Sequence, residues 1–216
     1  MNCVVTAGPT YEPLDKVRRL TNFSTGRLGA GLATFLTAHG HSVTLLLGEL
    51  AVPGVEIHAK RVETFGTTED LHQRLLEQST SPVDAVFHAA AVSDFRFGKV
   101  WLQSPQGQLI EVNSGKISTR HGTLLAQLLP TGKIIAELRD WFPRACLIGW
   151  KYEVDGDQAA VFRLAEKLIH ECRLDACVAN GPAYGEGFGL VTSAHKRAHL
   201  QDMPALFEAL ENFIRR

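Results

Sequence analysis

The sequence predicts an α/β fold, a three-layer domain with a mainly parallel sheet. Three observations carry that prediction. Short apolar runs alternate with longer amphipathic stretches in the order β-α-β-(β)-α-β through the first part of the chain. The runs stop at small or turn-forming residues such as Ala7-Gly8-Pro9 and Ala89-Ala90-Ala91. The 216 residues, 45% hydrophobic and 21% charged, have the length and composition of one globular domain with a proper core.

Residues 2–6 read as the first strand, followed by a long polar loop to about Thr25. A helix starts near Ser24 or Thr25, with Leu28, Leu32, Phe35 and Leu36 on one face, and stops at His39-Gly40-His41. Residues 42–47 form a second buried strand, and residues 56–62 offer a third. Residues 68–77 suit a helix capped by Thr67 or Thr68, and residues 83–88 a fourth strand. Residues 95–120, where short alternating pieces lie among Gly and Ser, read as an irregular flap or hairpin insertion. Residues 123–129 then give a strand, 131–141 a helix and 145–152 a strong strand. The amphipathic stretch 157–172 places Val161, Leu164, Ala165 and Leu168 on one stripe. Residues 176–179 form another strand, and 190–192 with 197–201 a small hairpin. A closing helix spans 204–215 with Pro204 in its first turn. No repeat, low-complexity tract or linker divides the chain, so residues 1–216 read as a single Rossmann-like domain.

With 22 Lys+Arg against 23 Asp+Glu, the net charge of -1 gives no global field for nucleic acid or an anionic membrane. Any anion site must therefore be local. No apolar run nears the roughly 18 residues that span a bilayer. The N-terminus runs straight into Cys3-Val4-Val5-Thr6 without a basic segment before an apolar one, so the expected location is cytoplasmic. Cys3, Cys146, Cys172 and Cys177 read as free thiols of a reducing compartment.

In a parallel sheet, ligands sit beyond the carboxyl ends of the strands. The segments expected there are Ala7-Gly8-Pro9-Thr10, Ala89-Ala90-Ala91-Val92-Ser93-Asp94, Gly149-Trp150-Lys151 and Asn180-Gly181. The helix opened by Asn22-Phe23-Ser24-Thr25-Gly26 turns backbone N–H groups and a positive dipole end toward a phosphate or carboxylate. Ser24 and Thr25 add hydroxyls, and Arg18, Arg19 and Arg27 add charge. The dinucleotide fingerprint is displaced here, since the helix-opening Gly26 does not directly follow the first strand and Glu49 is the only acidic candidate for a ribose. There is no Tyr-x-x-x-Lys pair, P-loop or nucleophile elbow. His195 and His199, and Cys172 and Cys177, lack metal-ligand spacing, and His88 reads as a core histidine. With no obvious covalent nucleophile, the chemistry points to positioning and charge stabilisation.

Three segments resemble one known family in order. Thr6-Ala7-Gly8-Pro9-Thr10-Tyr11-Glu12-Pro13-Leu14-Asp15-Lys16-Val17-Arg18 is similar to the opening T-A-G-G-T-x-E-P-[IL]-D-x-V-R, and Asn22-Phe23-Ser24-Thr25-Gly26-Arg27-Leu28-Gly29 to N-x-S-[ST]-G-[KR]-x-G. Ala89-Ala90-Ala91-Val92-Ser93-Asp94-Phe95-Arg96 is similar to A-A-A-V-[AS]-D-[YF]-R. The family is phosphopantothenate–cysteine ligase, or phosphopantothenoylcysteine synthetase, and later segments continue the match through Gly187-Phe188-Gly189. The resemblance implies a stand-alone ligase domain in coenzyme A biosynthesis, with no flavin site. In the reaction the resemblance implies, phosphopantothenate carboxylate would attack the α-phosphate of CTP or ATP in the presence of Mg²⁺, and the cysteine amine would then displace the nucleotide. It implies that Asn22 holds the activated acyl group and that Lys116, on the flap, neutralises phosphate charge. By the same resemblance, Gly8 and Thr10 would line the triphosphate side, Ala89, Ala90, Asp94 and Trp150 would contact the nucleotide, and Arg18, Ser24, Thr25, Gly26 and Asn180 would bind substrate or phosphate. It also implies a homodimer in which the flap reaches the partner.

The chain departs from the bacterial pattern around the expected base and phosphate contacts. Lys116-Ile117-Ser118-Thr119 stands for K-I-K-K, and Trp150-Lys151-Tyr152-Glu153-Val154 for F-A-A-E-T. Leu168 and Cys172 occupy positions expected to be lysines. These departures leave open the choice of CTP or ATP, and a nucleotide-binding relative without ligase activity. A nicotinamide-dependent oxidoreductase is the remaining alternative.

Overall fold

The computed structural model describes residues 1–118 and 122–215. Thr119 and Arg120, at the end of the expected flap, lie outside the described residues. Six parallel strands make the heart of the molecule: β1 (Asn2–Ala7), β4 (Ser42–Gly48), β5 (Arg61–Phe65), β6 (Ala85–His88), β10 (Cys146–Tyr152) and β11 (Ala176–Asn180). An antiparallel hairpin, β12 (Phe188–Thr192) and β13 (Arg197–Leu200), extends one edge. The order β13-β12-β11-β10-β6-β1-β4-β5 contains the doubly wound arrangement, with its switch point between β1 and β6.

Helices cover both faces. On one lie α1 (Arg27–Ala38) and α5 (Met203–Ile214), packed over Val5, Ala7, Leu45, Phe87 and Val178. On the other lie α2 (Thr68–Gln78), α3 (Ile134–Trp141) and α4 (Gln158–Cys172), packed over Val4, Leu46, Val86 and Leu147. Alternate residues of each strand thus enter opposite cores, which is why these strands read as continuous apolar runs. Thr67, Asp157 and Asp202 cap α2, α4 and α5 by accepting backbone N–H groups three residues on.

Several elements differ from the sequence reading. The polar loop contains a short hairpin, β2 (Tyr11–Pro13) and β3 (Arg19–Thr21). The third parallel strand is β5, later than residues 56–62. Val55, Ile57 and Ala59 instead pack beside α1, and Thr34 Oγ1 donates to the Glu56 carbonyl and accepts from the His58 amide. The insertion is regular: β7 (Phe95–Gln103), β8 (Leu109–Glu111) and β9 (Thr123–Pro130) form a separate antiparallel sheet. The α4 stripe runs through Val161, Ala165, Ile169 and Cys172, while Leu164 is exposed. Among the described residues, no helix is long and apolar enough to cross a membrane. All four cysteines are free, and burial pushes the Cys146 and Cys177 thiols up to about 12.

Gly29 sets how closely α1 approaches the sheet. A Cβ there would stand 2.6 Å from Ala7 Cβ and 3.0 Å from the Thr6 carbonyl oxygen. Gly29→Val is expected to destabilise the fold by about 1–3 kcal/mol in urea unfolding, as overpacked cores do. A neutral effect would show that α1 can move away freely.

Thr6 and His88 form a buried polar pair, with Thr6 Oγ1 3.0 Å from His88 Nδ1 and accepting the Ala90 amide. Burial lowers the His88 pKa from 6.5 to about 4. Between those values the unfolded chain binds a proton that the folded chain refuses, so stability falls as pH drops through that window. His88→Asn should flatten the pH dependence of the urea midpoint between pH 7 and 4.5; an unchanged slope would contradict this assignment.

Candidate functional site

The crevice at the carboxyl ends of β1 and β6 is built by close backbone approach. Gly8, at φ 85°, turns the chain after β1, and a Cβ there would lie 2.8 Å from Ala51 Cβ. Gly26, at φ 76°, opens α1, and a Cβ on it would meet the Gly8 Cα at 3.2 Å. Both positions combine a left-handed backbone with contact distances that exclude a side chain. The start of α1 therefore sits directly against the end of β1.

Hydrogen bonds continue the β1–β6 alignment past the strands. Pro9 and Ala91 form an isolated parallel bridge, in which the Ala91 amide donates to Gly8 O at 2.9 Å and the Thr10 amide to Ala91 O at 3.1 Å. The Ser93 amide donates to Thr10 Oγ1 at 2.8 Å, and that hydroxyl donates to Ser93 Oγ at 3.0 Å. Thr10 is fully buried, so its side chain holds the loops together. Asn22 is exposed and spans the crevice, with Nδ2 donating to Ala91 O at 3.1 Å. Ala89 and Ala90 are half-buried on the same loop, and Asp94 is exposed at its end, its carbonyl accepting the Thr131 amide at 3.0 Å.

The expected cationic cluster is divided. Arg18 is bound to Asp15 through Nε and Nη2, at 3.0 and 2.5 Å. Arg19 lies over the Tyr11 ring, 4.9 Å from its centre, and Arg27 is exposed at the first residue of α1. Ser24 and Thr25 turn inward on their own segment, their hydroxyls accepting the Gly26 and Arg27 amides at 3.4 and 3.3 Å. The rest of the first turn offers the backbone donors and dipole that favour an anion. Lys116 is exposed on the insertion, and the backbone of its neighbour Ile117 is hydrogen-bonded to Asp15 and Arg18.

Trp150 and Asn180 lie on the neighbouring strands β10 and β11. Trp150 pairs with Val178, and Asn180 lies two residues further on, so both face the α1/α5 side. Trp150 Nε1 and Asn180 Oδ1 are buried with no hydrogen-bond partner, an open donor and an open acceptor at the carboxyl edge. Buried polar atoms of this kind call for a ligand or water. Glu49, the ribose candidate of the oxidoreductase reading, accepts a hydrogen bond from the Tyr11 hydroxyl at 3.1 Å.

No thiolate is available here: burial raises the pKa of Cys177 and Cys146, and His88 stays neutral. Among the described residues, no group of three or more His, Cys, Asp or Glu could hold a metal. The arrangement can bind an anion through backbone donors and orient an acyl or phosphoryl group, without a covalent intermediate on the protein. Sequence reasoning singled out neither Ser93 nor Ala91 as a partner. The Asp15-x-x-Arg18 spacing contained the signal for the bound arginine, since aspartate favours such local turns.

The sequence profile of the DNA/pantothenate metabolism flavoprotein C-terminal domain matches residues 1–203. The "Coenzyme A biosynthesis bifunctional protein CoaBC" of Thermococcus kodakarensis is 32% identical over 178 residues, covering 82% of this chain and 40% of that protein. Its Bacillus subtilis counterpart is 28% identical over 204 residues, 94% of this chain and 47% of that protein. The chain thus spans less than half the length of these relatives. The crystal structure of the DNA/pantothenate metabolism flavoprotein from Streptococcus pneumoniae superposes with a TM-score of 0.85 at 25% identity, covering 100% of this chain and 98% of that one. A Cab2 H337A mutant in complex with phosphopantothenate-cysteine shares the fold, with a TM-score of 0.70 at 16% identity over 100% of this chain and 89% of that one. Profile, relatives and fold agree with the motifs clustered at the β1–β6 crevice: the chain belongs to the DNA/pantothenate metabolism flavoprotein C-terminal domain family.

Proposed function

We propose that this chain joins 4'-phosphopantothenate to cysteine in coenzyme A biosynthesis, through an acyl-nucleotide intermediate. The observation that carries the reading is the convergence of Gly8, Gly26, Asn22 and Ala91 at the switch-point crevice, within a chain of this family. The Cab2 complex with phosphopantothenate-cysteine, on the same fold, supports it.

In the first step a phosphopantothenate carboxylate oxygen attacks the α-phosphorus of CTP or ATP, and the bond to pyrophosphate breaks. The open amides of α1, with Gly8 and Arg27 beside them, stabilise charge on the phosphates. Ala89, Ala90 and Asp94 border the nucleotide, and Trp150 Nε1 offers an unpaired donor to it. Asn22 orients the acyl carbon. In the second step the cysteine amine attacks that carbon, loses its proton, and expels the nucleoside monophosphate. Asn180 Oδ1, unpaired at the neighbouring strand end, is available to a substrate N–H or O–H donor. Asp94, exposed at the end of its loop, is the carboxylate that would face a Mg²⁺ ion carried in on the triphosphate, and such an ion, bound chiefly through substrate phosphates, would neutralise part of their charge.

The reaction belongs in the cytoplasm, where the free cysteines stay reduced. A homodimer is the working assembly. Exposed Phe95, Leu109, Ile110, Leu125 and Leu128 on the three-stranded sheet support that reading. Light scattering is expected to give a dimer, and a monomer at micromolar concentration would remove the insertion from the interface.

With Mg²⁺ and either CTP or ATP, sustained pyrophosphate release should require both phosphopantothenate and cysteine. No turnover with either nucleotide would overturn the activity. Asn22→Ala and Lys116→Ala should each lower kcat by about 10²–10³, the effect of removing one charge-stabilising donor. Wild-type kcat in either variant would take that residue out of the chemistry.

A further inference from the structure

Asp15 sits on an otherwise exposed hairpin loop, yet its side chain is 0% exposed. Oδ1 accepts the Val17 and Arg18 amides at 2.9 and 2.8 Å. Oδ2 accepts Arg18 Nε at 3.0 Å and Nη2 at 2.5 Å, and also the Ile117 amide at 3.2 Å. Arg18 Nη2 donates in turn to Ile117 O at 2.7 Å. On the other flank, the Lys16 amide donates to Gly115 O at 3.0 Å, and a Cβ on Gly115 would stand 3.1 Å from Lys16 Cδ. Ile117 is buried, while Lys116 between the two held residues is exposed. A segment about a hundred residues distant in sequence is thus gripped on both sides of one lysine.

We propose that Asp15, acting through Arg18 and the backbone of Ile117, is a positioning residue that fixes Lys116 for the reaction. This rests on the ligase reading and adds a role for a residue that touches no substrate. It also accounts for Arg18, whose charge is bound to Asp15 and whose remaining reach is directed to the insertion. An ordinary exposed ion pair contributes little. This one differs because the carboxylate is covered, accepts five N–H donors, and joins two distant segments. The Arg18 guanidinium, then the backbone donors, hold the Asp15 carboxyl well below the usual carboxylate range, so the grip stays ionised in ordinary buffers.

Two readouts on the full chain test the proposal. Hydrogen exchange at the Ile117 amide should accelerate about tenfold or more in Asp15→Asn, since a charge-assisted bond is lost, with little change in the urea midpoint. Asp15→Glu, which keeps the charge, should fall between wild type and Asp15→Asn, and it replaces that variant if the asparagine protein does not fold. In kinetics, Asp15→Asn should lower kcat about tenfold in the wild-type background and leave kcat unchanged in a Lys116→Ala background. Equal loss in both backgrounds would make Asp15 merely structural and overturn the proposal. Unchanged exchange at Ile117 would overturn it as well. If the wild-type chain turns over neither CTP nor ATP, the ligase reading fails, and the exchange readout still decides by itself whether Asp15 holds the segment.

Discussion

The carboxyl edge of the central sheet depends on one constraint, the continuation of the β1–β6 alignment beyond the strands themselves. The Pro9–Ala91 bridge and the Thr10–Ser93 hydroxyl pair hold two loops in register after the regular ladder has ended. Because Thr10 is fully buried, those bonds form away from solvent competition. The loops in turn present Ala89 and Ala90 opposite the start of α1. Asn22 closes the gap by donating to Ala91 O, which already accepts the Thr10 amide. Loosening this register would displace Gly8, Ala89, Ala90 and Asp94 among the groups proposed to meet the nucleotide.

Electrostatics at this end are economical in cations. The chain carries a net charge of -1, and of the three arginines near the crevice Arg18 is neutralised by Asp15 while Arg19 lies over Tyr11. Arg27, the α1 dipole and the backbone amides remain, and Lys116 on the insertion is the proposed further cation. Preorganised backbone donors need no rearrangement when charge develops, which suits a reaction that forms no bond to the protein. The cysteines fit the same picture, since desolvation raises the thiol pKa values of Cys3, Cys146 and Cys177 and disfavours their thiolates.

Much of this was legible in the sequence, for physical reasons that also explain what was not. Strands buried on both faces leave apolar runs, so β1, β4, β6, β10 and β11 could be read nearly to the residue. The cap of α2 was narrowed in the sequence to Thr67 or Thr68, and Thr67 holds it, while the caps Asp157 and Asp202 emerged only in the structure. Residues 55–59 alternate like a strand, yet their apolar side chains pack beside α1 and their backbone bonds to Thr34, a tertiary preference that no local pattern encodes. Of the three-stranded sheet, β9 was legible as the strand 123–129, whereas β7 and β8 were obscured because their residues are largely exposed or half-buried and set among Gly and Ser. Motif order pointed to Gly8, Asn22, Gly26 and Ala89. It could not reveal that Arg18 is bound to Asp15 and reaches Ile117, because that partnership is settled by a contact between segments far apart in the chain.

The β1–β6 crevice, with the α1 start, is the proposed seat of the triphosphate. The most direct measurement is backbone amide NMR of the full chain titrated with a non-hydrolysable CTP or ATP analogue and Mg²⁺. Saturable shifts are expected at Gly8, Asn22 through Gly29, Ala89 through Asp94, and the Trp150 indole N–H. Saturable binding that left these signals unmoved and perturbed another surface, such as the cavity of about 300 Å³ lined by Glu166, His170, Arg173 and His195, would contradict that placement.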